Sequence, residues 1–326
     1  MKNICAGLIA FASLQATAAG GNLEMKWDPG ADECTTSDQK HLQVHHVDST
    51  TVVLRQGLCI AYEANLLYLL VGKTRSLLID TGAVEDPPTA TLTVNAVEEI
   101  LRMTGAAPTL LVVHTHGHQD HRAGDAAFAA LPGVRIAPVE TEPLRAFFGF
   151  RDWPNDLVQI ALGDRIVDVI PTPGHHEDHV VFYDRNTRLL ITGDFLLPGR
   201  LLVQDIDAYR TSARRVAEFA GKNPIDHALG AHIEMDAKGN LFASGATYHP
   251  DERALRLSAE DVTALPAALE DFNGFYSRHE NYVVVNSMHN LMVVASVVIL
   301  ALGLLAAWAR RLWTRPRRAI STGESG

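Results

Sequence analysis

Four histidines crowd into eight residues, His114-Thr115-His116-Gly117-His118-Gln119-Asp120-His121, directly after the apolar run Thr109–Val113. Imidazole nitrogen and carboxylate oxygen together make a zinc ligand set, and alternate residues of a loop at a strand's end can converge on one ion. Two further apolar runs end the same way. Ile166–Ile170 leads into Pro171-Thr172-Pro173-Gly174-His175, and His227–Leu229 leads into Gly230-Ala231-His232. Between them, Leu189–Thr192 stops at Gly193-Asp194. Nine of the fifteen histidines fall between His114 and His232, a concentration that a solvated charged face does not explain. Every candidate ligand follows an apolar run, so all could meet at one edge of a pair of sheets. No Gly-x-Ser-x-Gly elbow, P-loop or Gly-x-Gly-x-x-Gly fingerprint occurs, so serine hydrolysis and nucleotide binding lack support.

His116-Gly117-His118-Gln119-Asp120-His121 resembles the His-x-His-x-Asp-His signature of the metallo-β-lactamase superfamily. Pro173-Gly174-His175, Thr192-Gly193-Asp194 and Gly230-Ala231-His232 resemble its later motifs in order and approximate spacing, and Asp80 in Leu78-Ile79-Asp80-Thr81-Gly82 resembles its first. The resemblance covers about Thr51 to Pro250. It implies a four-layer αβ/βα sandwich of the α/β class with two metal ions, zinc first and iron or manganese as alternatives. One metal would take His116, His118 and His175. The other would take Asp120, His121 and His232, with Asp194 bridging the two and Asp120 also counted as catalytic. Asp80 would orient the loop that bears His116 and His118 from outside the ligand set. Two metals about 3.5–4 Å apart can hold a hydroxide between them, supplying a nucleophile without serine or cysteine.

Within that superfamily the pattern is similar to glyoxalase II-type thioesterases and lactonases, so an ester, thioester or lactone is the expected substrate. A β-lactam hydrolase is the second reading; members of that kind generally lack a carboxylate at the bridging position, where this chain has Asp194. An iron-dependent oxidoreductase and a non-catalytic membrane-tethered binding protein are the third and fourth. The sequence names neither the substrate nor a protein partner. Of the remaining polar candidates, His114 is expected to be packed or supporting. His176 and His179 are expected as pocket-wall or loop residues rather than metal ligands, and His41, His45 and His46 at the surface. Arg200 and Tyr209 are open between substrate contact and structural roles.

The elements that must position these residues follow from the apolar patterning. Thr51–Gln56, Leu66–Gly72 and Ser76–Asp80 read as strands, the last two joined by the short polar turn Lys73-Thr74-Arg75. Leu92, Val94, Val97, Ile100 and Leu101 give Thr89–Met103 a helical stripe. Thr109–Val113 is a buried strand and Ala123–Leu131 a helix. Strands recur at Val134–Ala137, Ile166–Ile170, Val180–Tyr183 and Leu189–Thr192, and Ile206–Ala220 is a helix with Asp205 or Asp207 near its N-terminus. Leu77–Gly82 and Leu189–Asp194 echo each other weakly, as an internal duplication would. The expected organisation is an N-terminal arm at 19–50, the metal-binding domain at 51–250 and an acidic, aromatic connector at 251–290.

Both ends of the chain read as addresses. A basic start, the apolar run Ile4–Leu14 and Ala16-Thr17-Ala18 suit a signal peptide over 1–18. Leu291–Ala309 holds 19 residues without a charge, about 28 Å as a helix. Five arginines follow within the tail at 310–326, which the positive-inside rule keeps cytoplasmic. A single-pass protein with its domain on the extracytoplasmic, periplasmic side is therefore expected, its partners being a small-molecule substrate and the membrane. With Cys5 removed, Cys34 and Cys59 form an even pair suited to a disulfide in an oxidising compartment, two free thiols being the alternative. The net charge of −10 becomes −15 for the region between the basic ends, which excludes nucleic acid as an expected partner.

Overall fold

The computed structural model describes residues 21–35, 40–107 and 109–313. The signal-peptide reading and most of the basic tail lie outside the described residues. After a lead-in from Gly21, strands β1 (Leu42–His46), β2 (Thr51–Gln56), β3 (Leu66–Leu70) and β4 (Ser76–Ile79) pair antiparallel in turn. Helix α1 (Pro87–Thr104) starts on an Asp86 side-chain cap, uses the Pro-rich first turn that helices tolerate, and ends at Gly105 in the left-handed region. It returns the chain so that β5 (Leu110–Val113) lies parallel to β4. Short helices α2 (Gln119–Arg122) and α3 (Asp125–Ala129) then lead to β6 (Val134–Ile136), parallel to β5. These six strands form the first sheet, in sequence order.

Helix α4 (Thr141–Phe148) crosses to the second sheet, which begins with β7 (Val158–Ala161), β8 (Ile166–Pro171), β9 (Val180–Asp184) and β10 (Leu189–Gly193). The chain continues through β11 (Arg200–Leu202), α5 (Ile206–Ala220), β12 (His227–Gly230), β13 (Arg256–Ser258), α6 (Ala259–Glu270), β14 (Tyr276–Arg278), β15 (Val283–Val285) and α7 (Ser287–Trp313). The second sheet runs β13-β12-β10-β9-β8-β7, and β11, β15 and β14 make a third, smaller sheet.

Side-chain alternation places the layers. In β3, Leu66, Tyr68 and Leu70 face inward with Val180 and Phe182 of β9, filling the space between the two large sheets. Leu67 and Leu69 face outward onto Val94, Val97 and Ile100 of α1. On the far side, Val181 and Tyr183 of β9 pack on Tyr209, Ala213 and Val216 of α5 and on α6. Both faces of each sheet are covered, which is why β2 to β5 and β9 to β10 are buried at every position rather than alternating. The four-layer αβ/βα sandwich is present.

The connector expected at 251–290 is corrected. One of its acidic residues caps a helix: Asp261 and Ser258 form a reciprocal cap at the start of α6. Its apolar residues join the outer core, with Val262, Leu265 and Leu269 packed beside α5. β13 extends the second sheet and β15 pairs with β11, so the domain's packing continues past Pro250 to Val285. The arm at 19–50 likewise contributes β1 to the first sheet. It is tied down by a Cys34–Cys59 disulfide with Cα atoms 5.2 Å apart. The sequence separation of 25 corresponds to about 3.5 kcal/mol of loop-closure stabilisation. Within α7, the span Asn290–Arg310 holds an 18-residue stretch of mean hydropathy 2.6 that is not buried against the protein, so this helix is long and apolar enough to cross a membrane.

Candidate metal centre

Strands β4 and β5 run parallel in one sheet; β8, β10 and β12 share a direction in the other. Their carboxyl ends meet at one edge of the sandwich. Val180 N–H donates to the Thr115 carbonyl and Leu66 N–H to the Ala231 carbonyl, at 2.8 and 2.9 Å, stitching the sheets together there. Asp80 follows β4, residues 114–121 follow β5, His175 follows β8, Asp194 follows β10 and His232 follows β12. Two glycines let the backbone approach this closely. Gly193 has φ +52°, and a Cβ there would stand 2.6 Å from the Thr115 side chain. Gly174 has φ +143°, and a Cβ would fall 2.5 Å from the Tyr209 Cα.

All seven sequence-predicted ligands are brought together, as two facing clusters. In the first, His116 Nε2, His118 Nδ1 and His175 Nε2 lie 2.8–3.2 Å from one another. His175 Nδ1 donates to the Leu202 carbonyl at 2.8 Å, which leaves Nε2 as the lone-pair nitrogen. In the second, His121 Nε2 and His232 Nε2 approach Asp120 Oδ2 at 3.4 and 3.5 Å. His232 Nδ1 is fixed by the Glu63 carbonyl at 2.8 Å and His121 Nδ1 by Asp80 at 2.9 Å. Asp194 stands between the clusters. Its Oδ1 faces His121 and His232 at 3.5 and 3.3 Å, and its Oδ2 faces His175 at 3.5 Å.

The donor chemistry fits cations. Asp194 Oδ1 and His121 Nε2 are buried without a hydrogen-bond partner, a costly state for a polar atom that a metal ligand avoids when loaded. Three convergent imidazole nitrogens offer lone pairs with few protons to share. Burial, reinforced by neighbouring imidazoles, lowers His116, brings His118 down to about 4 and lowers His175. In the second cluster the balance reverses. Burial alone would lower His121 and His232, but Asp194 with Asp80 or Asp120 raises both. Burial alone would raise Asp120 and Asp194, yet the two histidines hold both carboxylates well below their usual range. One cluster is neutral nitrogen and the other carries the anionic charge.

Asp80 is not among the converging groups; it organises them. Its carboxylate accepts from Thr115 N–H at 2.8 Å and Thr115 Oγ1 at 3.0 Å while holding His121, and its backbone sits at φ +64°. Asp80→Ala is expected to weaken metal binding about 10- to 100-fold with the fold intact, read by competition against a chelator; unchanged affinity would remove Asp80 from this role.

Asp178 and Asn65 are supports that the sequence did not disclose, and the structure places the remaining polar candidates. Buried Asp178 receives Gly117 N–H at 3.2 Å and pairs with His176 at 2.5 Å. Asn65 reaches Asp120 at 3.5 Å. His179 is buried behind His116, its ring 5.1 Å away and nearly parallel. His114 is buried on Asp125 at 2.8 Å. Tyr209 is structural: fully buried, it donates to the Phe195 carbonyl. Arg200 lines the cavity that opens beside the clusters, about 600 Å³ in volume and walled further by Tyr62, Glu234, Phe242 and Tyr276. Its neighbours in that wall, residues 241–246, carry no chemical signature, being mostly small side chains.

The family model of the metallo-beta-lactamase superfamily matches residues 64–269. The chain belongs to that superfamily, and it is a metal-dependent hydrolase of that fold. It is 26% identical over 222 residues to an acyl-coenzyme A thioesterase, MBLAC2, of Gallus gallus, covering 56% of this chain and 77% of the relative. It is 30% identical over 194 residues to a hydroxyacylglutathione hydrolase of Bradyrhizobium sp. (strain ORS 278), covering 57% and 73%. A metallo beta lactamase crystal structure from Erythrobacter litoralis superposes with a TM-score of 0.50 at 15% identity, over 72% of this chain and all of that one. That last likeness is one of fold.

Proposed function

We propose that the protein is an exported, membrane-anchored hydrolase of esters, thioesters or lactones that uses two zinc ions. The observation that carries this reading is the placement of Asp194, whose two oxygens face the two clusters separately and whose Oδ1 is otherwise unpartnered. His116, His118 and His175 would hold one ion, and Asp120, His121 and His232 the other, with Asp194 shared. When bound, such a pair of cations lowers the pKa of water and polarises an acyl oxygen. The chain's own residues do the rest. Asp120, held ionised by His121 and His232 and reached by Asn65 at Oδ2, would serve both as a ligand of the second ion and as the group that orients the attacking water. Asp80, Thr115 and Asp178 fix the loop so that its imidazoles do not reorganise during reaction. The cavity walls seat the acyl group next to both clusters.

Relatives that are named as a thioesterase and as a hydroxyacylglutathione hydrolase support acyl transfer to water. The test is turnover by the zinc-loaded full chain on an activated ester, a thioester, a lactone and a β-lactam. Acyl substrates are expected to be preferred; preferential β-lactam hydrolysis would overturn the reading. For the anchor, a reporter fused at Gly326 is expected to be active only if it functions in the cytoplasm. Activity from a reporter that works only outside the cytoplasm would reverse the topology.

A further inference from the structure

The cavity beside the metal centre ends where the apolar helix begins. Tyr276 of β14 and Val285 of β15, which are cross-strand partners, line the same cavity as His118, Asp120 and Asp194. Helix α7 starts at Ser287, two residues beyond Val285. Its root is fixed to that wall: Asn286 N–H and the Asn290 side-chain amide both donate to the Phe275 carbonyl, each at 3.2 Å. Asn290 is also the first residue of the span long enough to cross a membrane. Adjacent Cα atoms lie about 3.8 Å apart, so one residue and one hydrogen bond separate the cavity wall at Tyr276 from the start of the span. A bilayer that holds α7 brings its interface to the mouth of the site.

The lining suits what a bilayer would deliver. Leu197, Leu202, Ile233, Leu241 and Phe242 supply apolar wall. Tyr62 and Tyr276 stand half-exposed at the rim, amphipathic rings of the kind that favour a membrane–water boundary. Among the described residues, Arg200 is the only Lys or Arg in the lining, and its guanidinium is committed to Glu234 at 3.5 Å and to the Phe242 carbonyl. A polyanionic leaving group therefore meets no uncommitted Lys or Arg among the described residues of this wall.

We propose that the substrate is a bilayer-resident long-chain acyl ester or thioester with a small, uncharged leaving group, its chain entering past Tyr276 and Val285. The proposal rests on the hydrolase reading above and names its substrate class. Water supplies the hydroxyl that ends on the acyl carbon, and the carbon–oxygen or carbon–sulfur bond breaks. The departing alcohol or thiol takes one proton, and the fatty acid gives its remaining proton to solvent.

The test uses the zinc-loaded full chain in phosphatidylcholine vesicles. Butanoyl and hexadecanoyl groups are compared on glycerol and on 2-mercaptoethanol, with hexadecanoyl-coenzyme A alongside; the first two carriers distinguish ester from thioester. On at least one uncharged carrier, kcat/KM is expected to be at least about tenfold higher for hexadecanoyl than for butanoyl, as burial of the added methylenes requires. Tyr276→Glu, an exposed position, is expected to lower that ratio about tenfold with the thermal midpoint retained, by charging the chain's entry. A second measurement does not need the metals: a hexadecyl ether with a terminal diazirine, in the same vesicles, is photolysed with the metal-stripped chain. Label on residues 241–246 or 276–285 is expected; label confined to 291–309 would overturn the proposal. Equal rates for both chain lengths, or preference for the coenzyme A carrier, would overturn it and leave the hydrolase reading standing. No turnover of any acyl substrate would overturn both.

Discussion

Asp194→Ala is expected to lose one of the two metal ions and at least about 10²-fold in hydrolytic rate, taking the upper end of losses from supporting residues as a floor for a ligand. The change removes an oxygen from each cluster and the charge between them, because Oδ2 faces His175 while Oδ1 faces His121 and His232. Folding is expected to survive. The carboxylate follows β10, whose Leu189, Leu190 and Ile191 carry the burial, and it contributes no hydrogen bond to the ladder. Metal content and thioester turnover measured on the same preparations decide the point. A variant that keeps two metals and full rate would show that Asp194 does not bridge.

The second large effect lies away from the metal clusters and concerns stability. Arg165 is buried and bolts the sheets together: its guanidinium pairs with Asp184 of β9 at 2.7 Å and donates to the Thr50 carbonyl and Thr51 Oγ1, both at 2.8 Å. Arg165→Met is expected to cost about 3–5 kcal/mol, since it strands a buried carboxylate. Replacing both partners, Arg165→Met with Asp184→Leu, is expected to recover most of that loss. The pH dependence carries the sign. Burial alone would raise Asp184, but Arg165 and Thr187 hold it below its ordinary value. The pair's contribution is therefore complete above the ordinary aspartate pKa and fades as pH falls through the depressed one. In Arg165→Met the lone carboxylate is raised instead, so the gap from wild type should narrow on acidification. Urea melts from pH 7 to pH 4 measure both; a pH-independent gap would contradict the bolt.

The site was legible because its chemistry is written in consecutive residues of rare type. His116, His118, Asp120 and His121 place four ligand-type side chains in one short loop, and the downstream ligand-type residues each close an apolar strand. The supports were not legible for the opposite reason. Asp178 receives Gly117 N–H across 61 positions and Asn65 reaches Asp120 across 55, and nothing local distinguishes either from a surface polar residue. Arg200 and Tyr209 show the same limit, one lining the cavity and the other buried in the core. The fold's central strands could be read because both faces are buried. The region after Pro250 could not, because Pro266 interrupts the helical stripe of Val262, Leu265 and Leu269, and Asp261, which caps α6 with Ser258, sits in an acidic stretch that reads as connector. β1, β11, β13, β14 and β15 are three to five residues long, and polar or charged residues in β1, β11, β13 and β14 break any apolar run.

The central claim is that two metal ions held by these seven side chains carry out the hydrolysis. Its most direct test is plasma emission analysis of the gently purified full chain, paired with thioester turnover before chelation, after chelation and after zinc is restored. About two zinc ions per chain, loss of turnover with the metals, and recovery on their return are expected. Undiminished turnover by a chain that holds no metal would contradict it.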